Sequence, residues 1–266
     1  MGFSVLLKKA SLVGAFFVSA ICVGPVWAFC PMPAGLPVIG VQKVVDGDTL
    51  RLVDGRSVRL IGINAPEVAH KSRSAQPFAE QAKRRLQALV SANDDRVAVQ
   101  LGQQPKDHYG RTLAHVYGAQ GQNVEAQLLA EGLGFHIAVA PNVDLVDCQQ
   151  QAERSARALR LGLWRSAPLQ RAEQLNDSGF ALVQGRVMKV EQNRGGVWLQ
   201  LDGPLVLQVS SKALANFDLK ALRAMQGKSI EARGWVIDRS RRGKVQAGQA
   251  RWMLPLTHPA MVEVRP

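Results

Sequence analysis

A pattern of short apolar segments separated by tight turns over residues 38–63 is the strongest constraint on the fold. Asp-Gly dipeptides occupy positions 46–47 and 54–55, and a further apolar run follows at residues 58–63. Asp-Gly is among the preferred dipeptides of β-hairpin turns, and short β-branched runs between such turns are typical of strands. Residues 38–63 therefore predict three short strands joined by tight turns.

Helical and strand-like patterns alternate through the rest of the first half of the chain. Residues 76–92 carry apolar side chains at helical spacing, and residues 96–101 and 112–117 are typical of strands. Two more helices are predicted, one capped by Asn123 and ending before Gly132, and one over residues 144–161. The pattern predicts a mainly β domain with α-helices (α+β) over residues 38–165.

A second strand-rich unit is predicted over residues 179–266, after a linker at 166–178 in which apolar periodicity fades. Its order of three strands, one helix and two strands is that of an OB-type β-barrel, although other small β-barrels give a similar pattern. The strands are predicted at residues 180–191, 197–201, 205–209, 229–237 and 245–254, with the helix at residues 212–225.

The N-terminus has the pattern of an export signal. Lys8 and Lys9 precede an apolar run at residues 10–24, and Ala28 ends a segment suited to signal peptidase. We interpret residues 1–28 as a cleaved signal peptide. The apolar run is shorter than the roughly 20 residues that span a bilayer, so a permanent anchor is disfavoured. We expect a periplasmic or secreted protein with no stable membrane insertion after cleavage.

Signal cleavage removes Cys22 and leaves two cysteines, Cys30 and Cys148. In an oxidising compartment an even pair predicts a disulfide, and the alternative is two unpaired buried thiols. The absence of any CxxC or Cys/His grouping argues against a zinc site.

The charge of the chain is strongly basic, with 33 Lys and Arg against 21 Asp and Glu and a net charge of +12. Such a surface attracts polyanions, although many exported proteins are also basic. A basic loop at residues 239–244 lies between the last two predicted strands of the second unit. On an OB barrel this loop can contact nucleic acid, and the alternative is a solvated charged turn.

Three tryptophans, Trp198, Trp235 and Trp252, lie in predicted strands of the second unit. We expect them to belong to the barrel core rather than to form base-stacking surfaces.

Asp46 and Asp48 flank Gly47 at the first predicted turn, and on their own they indicate only a hairpin. Arg59 changes this interpretation because it sits in an apolar strand, where an unpaired guanidinium is costly to bury. Asp48 on a neighbouring strand can be its partner in the resting protein, and a phosphate can be its partner in a complex.

Further polar residues suited to phosphodiester chemistry follow the same strand. Asn64 and Glu67 lie at the strand end beside Pro66, and Arg111 precedes a later strand. Oxygen ligands can hold a hard divalent cation that positions water. Two arginines can stabilise the charge that develops on phosphate oxygens in the transition state.

The segments VVDGDTLRL, VRLIGINAPE and DHYGRTLAHVY resemble the three active-site segments of the thermonuclease (staphylococcal nuclease-like) family. The resemblance covers residues 41–164. It implies an OB-like five-stranded β-barrel with three helices for residues 38–165. It also implies calcium-dependent cleavage of DNA and RNA with little sequence specificity.

The resemblance also assigns roles to single residues. It implies catalytic roles for Arg59, Glu67 and Arg111, calcium ligation by Asp48, Asn64 and the backbone carbonyl of Ala65, and supporting positions for Asp46 and Tyr109. The sequence departs from the family at Asn64, where an aspartate is usual. Because one ligand charge is lost, we expect weaker calcium affinity.

Two alternatives to a calcium-dependent exported endonuclease remain open at this level. The first is a non-catalytic nucleic-acid-binding protein on the same fold. The second is a pair of barrels that binds another acidic ligand or an envelope protein, with the VDGDT turn serving only structure. The joint presence of Asp48, Arg59, Glu67 and Arg111 favours the enzyme, because binding alone does not require that set. The sequence indicates no protein partner.

Overall fold

The predicted turns at the start of the chain produce the first three strands of a β-barrel. The computed structural model describes residues 30–70, 74–166, 169–243, 245 and 248–265. Strand β1 (Val38–Val44) pairs with β2 (Thr49–Leu52), and β2 pairs with β3 (Ser57–Leu60), both antiparallel. Leu50, Leu52, Val58 and Leu60 are buried, and they start the core of this barrel.

The predicted third strand ends earlier than the apolar run at residues 58–63 suggests. After Leu60 the chain turns at Gly62, whose φ of 85° is readily adopted only by glycine. Strand β4 (Ile63–Asn64) then pairs with a distant strand, β7 (Phe135–His136), in a separate two-stranded sheet. The turn therefore moves Asn64 off the barrel wall.

Two further strands close the first barrel. Strand β5 (Arg96–Lys106) pairs antiparallel with β1 and with β6 (Thr112–Tyr117), and β6 runs parallel to β3. The closed order is β1-β2-β3-β6-β5. This is the strand order of an OB-type barrel, and it confirms the predicted fold class.

Three helices accompany the first barrel, as predicted, and each is shorter than the pattern suggests. They are α1 (Ala79–Ser91), α2 (Val124–Ala130) and α3 (Val146–Ala158). Asn123 caps α2 by accepting a hydrogen bond from the N–H of Ala126. Helix α1 buries Leu86 and Leu89 in the barrel core.

The structure contains the disulfide between Cys30 and Cys148, which are 118 residues apart in the chain. The bond ties the segment before β1 to helix α3. The predicted signal peptide at residues 1–28 lies outside the described residues. No helix in the described part of the chain is long and apolar enough to cross a membrane.

The second half of the chain forms another closed five-stranded barrel. The strands are β9 (Gly179–Asn193), β10 (Gly196–Leu201), β11 (Leu205–Ser210), β12 (Ser229–Asp238) and β13 (Trp252–Leu256). Their order, β9-β10-β11-β13-β12 with β12 returning to β9, matches that of the first barrel, and β11 runs parallel to β13. The predicted OB arrangement is therefore present twice.

Several details of the second barrel differ from the sequence pattern. Part of the predicted linker at 166–178 forms strand β8 (Leu169–Arg171), which runs parallel to β9. Ala172 and Leu175 from the same segment are buried in the core of this barrel. Helix α4 (Leu219–Ala224) and strand β13 are shorter than predicted, and strand β14 (Val262–Val264) adds an edge beside β12.

The three tryptophans occupy different environments in this barrel. Trp252 is buried, as predicted, whereas Trp235 is 42% exposed and Trp198 is only partly buried. The prediction of a core position is therefore wrong for Trp235 and incomplete for Trp198. Strand residues alternate between the interior and the outer face of a barrel, so a tryptophan in a strand need not point inward.

A buried ion-pair network joins the two barrels. Arg233 on β12 lies 2.6 Å from Glu153 on α3 and 3.1 Å from Glu231, and Arg157 on α3 lies 2.8 Å from Glu231. Arg233, Glu153 and Glu231 are all buried. Buried charges require such partners, and here helix α3 and strand β12 supply them to each other.

Candidate active site

The turn between β1 and β2 brings a carboxylate against an arginine on β3. Asp48 Oδ2 lies 3.0 Å from Arg59 Nη2, and the two side chains are only 9% and 11% exposed. The pairing of Thr49 with Arg59 across β2 and β3 produces this approach. The ion pair expected from an arginine in an apolar strand is thus present.

The guanidinium of Arg59 is held by further oxygen atoms. Its Nη1 donates hydrogen bonds to the carbonyl oxygens of Leu60 at 2.6 Å and Ile63 at 2.8 Å. Its Nη2 donates to Asn64 Oδ1 at 3.3 Å. Arg59 is therefore fixed in orientation beside Asp48 and Asn64.

Asp48 is anchored to the loop that follows β4. Its Oδ2 accepts the backbone N–H of Ala65 at 2.7 Å, and the backbone N–H of Asp48 donates to Asp46 Oδ1 at 3.0 Å. Gly47 between the two aspartates leaves no room for a side chain, because a Cβ there would lie 2.7 Å from Ala65 Cβ and Ala82 Cβ. Asp46, Asp48 and Ala65 therefore meet in a tightly packed corner.

The pKa of Asp48 is raised to about 7, chiefly by burial; Arg59 opposes this effect, and the neighbouring Asp46 carboxylate adds to it. Two carboxylates in a buried corner are unfavourable without more positive charge than one arginine supplies. A bound cation would relieve this repulsion.

The oxygen atoms at this corner suit a hard divalent cation such as calcium. They come from Asp46, Asp48 and the Asn64 amide, while the Ala65 carbonyl stays a predicted ligand; calcium favours carboxylate, amide and carbonyl oxygens. Among the described residues, no group of three or more His, Cys, Asp or Glu side chains is arranged as a metal site. The oxygen atoms at this corner are therefore of the kind that calcium binds. Two of the side chains that supply them are carboxylates.

Glu67 lies three residues after β4, in an exposed loop. Its backbone N–H donates to Gln76 Oε1 at 2.8 Å, and its carbonyl accepts the N–H of Gln76 at 2.9 Å. The carboxylate makes no hydrogen bond or ion pair with the described residues. Gln76 therefore fixes the backbone and leaves the Glu67 carboxylate available to solvent, a role for Gln76 that the sequence analysis missed.

Arg111 belongs to a separate turn between β5 and β6. Its Nε donates to Asp107 Oδ2 at 2.7 Å, while the backbone N–H groups of Tyr109 and Arg111 both donate to Asp107 Oδ1 at 2.9 Å. Burial raises the pKa of Asp107, but the hydrogen bonds from Arg111 outweigh it, and the net pKa is lowered. The carboxylate therefore stays ionised beside Arg111.

The outer part of the Arg111 side chain remains open. The side chain is 34% exposed, and its guanidinium carbon lies 5.5 Å from the centre of the Tyr109 ring, which is itself 75% exposed. The sequence analysis missed Asp107 as the residue that positions Arg111. Its spacing of four residues before Arg111 in the DHYGR segment was the available signal.

The described contacts bring some of the predicted site residues together and leave others apart. Asp46, Asp48, Arg59, Asn64 and Ala65 form one bonded cluster. Glu67, Tyr109 and Arg111 have no hydrogen bond or ion pair with that cluster in the described part of the chain. The functional roles of all the predicted site residues, in the cluster and outside it, stay predictions.

Comparison with known proteins identifies the class to which this fold and site belong. The family model for the staphylococcal nuclease homologue matches residues 57–166. The chain is 34% identical over 128 residues to the thermonuclease of Staphylococcus intermedius, a match that covers 47% of this chain and 74% of that protein. The chain therefore belongs to the staphylococcal nuclease family.

Two endonucleases of Bacillus subtilis (strain 168) show similar identity over less of their own length. YncB is 31% identical over 130 residues, which cover 47% of this chain and 61% of YncB. The SPbeta prophage-derived endonuclease YokF is 32% identical over 130 residues, which cover 47% of this chain and 43% of YokF. The family match ends at residue 166, before the second barrel.

Proposed function

We propose that this protein is an exported endonuclease that hydrolyses phosphodiester bonds of DNA or RNA with calcium at the Asp48 corner. The observation that carries the proposal is the largely buried Asp48–Arg59 pair, 3.0 Å apart, beside the oxygen atoms of Asp46 and Asn64. The names of its relatives, thermonuclease and endonuclease, support the same activity.

In this proposal each site residue has its own chemical role. Arg59 and Arg111 bind the scissile phosphate and stabilise the negative charge that grows on its oxygens. Glu67 accepts a proton from the attacking water as a general base. A calcium ion supplies charge neutralisation at the phosphate when it is bound. Asp107 and Gln76 keep Arg111 and Glu67 in place.

Export is part of the proposal and rests on the predicted signal peptide at residues 1–28. The Cys30–Cys148 disulfide is consistent with it, because structural disulfides persist in oxidising compartments.

A second candidate is a non-catalytic nucleic-acid-binding protein on the same fold. The presence of Asn64 favours it, because the amide removes one negative charge from the calcium ligands. Binding without cleavage in the presence of calcium would support this candidate over the enzyme.

Cleavage of plasmid DNA and of RNA, with calcium and with a chelator, tests the proposal. Arg111→Ala and Glu67→Gln are the informative variants, since neither residue is buried. Each is expected to lower kcat/KM at least about 100-fold, because each removes one transition-state contact or the general base.

Matched controls are available in the same chain. Arg56 is 35% exposed and pairs with Asp54 at 2.7 Å, much as Arg111 pairs with Asp107. Arg56→Ala and the exposed Glu173→Gln are expected to cleave like the wild type. Equal cleavage by wild type, Arg111→Ala and Glu67→Gln would show that the catalytic site lies elsewhere.

A further inference from the structure

The positive charge of the chain is concentrated in the second barrel. Residues 179–266 contain fourteen Lys and Arg against six Asp and Glu, whereas residues 29–178 contain seventeen against fifteen. The family match at residues 57–166 does not include this barrel. The basic surface is therefore a property of a part of the molecule that the nuclease resemblance does not explain.

Two loops at one edge of this barrel carry arginines. Arg194 lies in the turn between β9 and β10, and Arg239 and Arg241 lie in the loop between β12 and β13. Arg194 and Arg241 are exposed and have no carboxylate partner in the described part of the chain. Arg239 is held by a hydrogen bond from its Nη1 to the carbonyl of Ala250 at 3.0 Å.

Trp198 on β10 lies between these two loops. Its Nε1–H donates to Asn193 Oδ1 at the end of β9 at 3.0 Å, and the guanidinium of Arg239 in the second loop lies 5.9 Å from its ring centre. The hydrogen bond fixes the orientation of a partly exposed indole. The ring is thus held in place at the surface rather than packed into the core.

The cross-strand neighbours of Trp198 are polar or charged. Its cross-strand partner on β11 is Gln208, which supplies uncharged hydrogen-bonding groups. Its partner on β9 is Glu191, whose carboxylate is neutralised by Lys189 Nζ at 2.6 Å. The face therefore combines an aromatic ring, amide groups and net positive charge.

By strand order, β10 and β11 are the second and third strands of an OB barrel, and the two arginine loops join strands 1–2 and 4–5. That face and those loops are where OB barrels bind oligonucleotides. We propose that the second barrel carries a non-catalytic site for single-stranded nucleic acid. A base stacks on Trp198, and the phosphates follow Arg194, Arg239 and Arg241.

Single strands are favoured over duplexes because stacking on a side chain requires an unpaired base. The site goes beyond the proposed nuclease function, because none of its residues belongs to the Asp48 corner. It gives the exported protein a means of holding a strand independently of cleavage.

Fluorescence anisotropy with a labelled single-stranded 20-mer, in chelator and on the chain without residues 1–28, tests the stacking contact. Trp198→Ala is expected to weaken binding about ten-fold, whereas Trp198→Phe keeps a ring and most of the affinity. Trp235→Ala is the matched control, because Trp235 is 42% exposed on β12 of the same barrel. Unchanged binding by Trp198→Ala, or an equal loss by Trp235→Ala, would overturn the proposal.

Salt dependence tests the arginine loops. The double variant Arg194→Gln/Arg241→Gln is expected to lower the slope of log affinity against log salt by about 1.4, or about 0.7 for each phosphate contact to a single strand. The control Arg186→Gln/Lys228→Gln removes the same charge from the same barrel. Arg186 lies five residues before Glu191 on β9, so it is about 16 Å along the strand from Trp198.

The control pair is expected to leave the salt slope unchanged. Equal slope changes in both double variants would show general attraction to a basic barrel and contradict a localised site. Unfolding midpoints of all variants establish that each one is folded.

Two further measurements separate this site from the nuclease site. Trp198→Ala is expected to raise KM for long single-stranded DNA while leaving hydrolysis of bis(p-nitrophenyl) phosphate unchanged. Arg111→Ala is expected to lose cleavage and keep oligonucleotide binding. Loss of binding in Arg111→Ala alone would place the strand at the nuclease site, which overturns this inference and leaves the proposed function intact.

Discussion

Removal of Arg233 is expected to destabilise the protein more than any exposed charge substitution. Arg233 Nη1 lies 2.6 Å from Glu153 Oε2, and these two side chains are 5% and 2% exposed. Arg233→Met preserves much of the side-chain length and leaves the Glu153 carboxylate buried without its cation. Breaking a buried pair from one side costs about 3–5 kcal/mol, so the free energy of unfolding should fall by that amount.

A second substitution shows whether the loss of stability comes from the unpaired, buried Glu153 carboxylate. Glu153 Oε1 also accepts the backbone N–H of His136 at 2.7 Å, and a glutamine can keep that hydrogen bond. Arg233→Met/Glu153→Gln has no unpaired buried charge and is expected to regain about 2–3 kcal/mol of the loss. Glu231 retains Arg157 in both variants.

Urea unfolding followed by circular dichroism and tryptophan fluorescence measures both variants. Lys189→Met is the control, because Lys189 and its partner Glu191 are 64% and 57% exposed. Its unfolding midpoint is expected to match that of the wild type, since exposed ion pairs contribute little. If Arg233→Met lowers the free energy of unfolding by less than about 1 kcal/mol, or if the double variant recovers none of it, an unpaired buried charge is not the cause.

Three further predictions concern the metal ligands, the disulfide and a buried histidine. Asn64→Asp restores a ligand charge and is expected to tighten calcium binding about ten-fold in calorimetric titration; no gain would contradict the assigned ligand. Reduction of Cys30–Cys148, which closes a loop of more than 100 residues, should lower the free energy of unfolding by about 4–5 kcal/mol, and an unchanged denaturation midpoint in reductant would contradict this. Burial lowers the pKa of His136 from 6.5 to about 3, so the unfolded chain binds a proton that the native protein does not. The free energy of unfolding that depends on a neutral His136 is complete above pH 6.5. It falls by about 1.4 kcal/mol per pH unit as the pH drops towards 3. His136→Phe should flatten that dependence, and equal pH slopes in the variant and the wild type would exclude the mechanism.

The candidate nuclease site could be predicted from the sequence because its signals are local. An arginine in an apolar strand requires an anion, and Asp48 lies on the neighbouring strand, so the pair follows from two short segments. Gln76, which supports Glu67, was missed for the opposite reason. Gln76 hydrogen-bonds the Glu67 backbone from nine residues further along the chain, a pairing that no periodicity marks.

The sequence by itself determined the order of the main barrel strands and helices, the family motifs and the cysteine pair Cys30 and Cys148. These depend on side-chain periodicity, turn residues and composition, which act over a few residues. Only the tertiary structure decided that Trp252 is buried while Trp198 and Trp235 reach the surface, and that Arg233 meets Glu153 from 80 residues away. Barrel closure and the docking of one barrel on the other set these contacts, because they fix which face of each strand meets solvent and which charges must share a buried site.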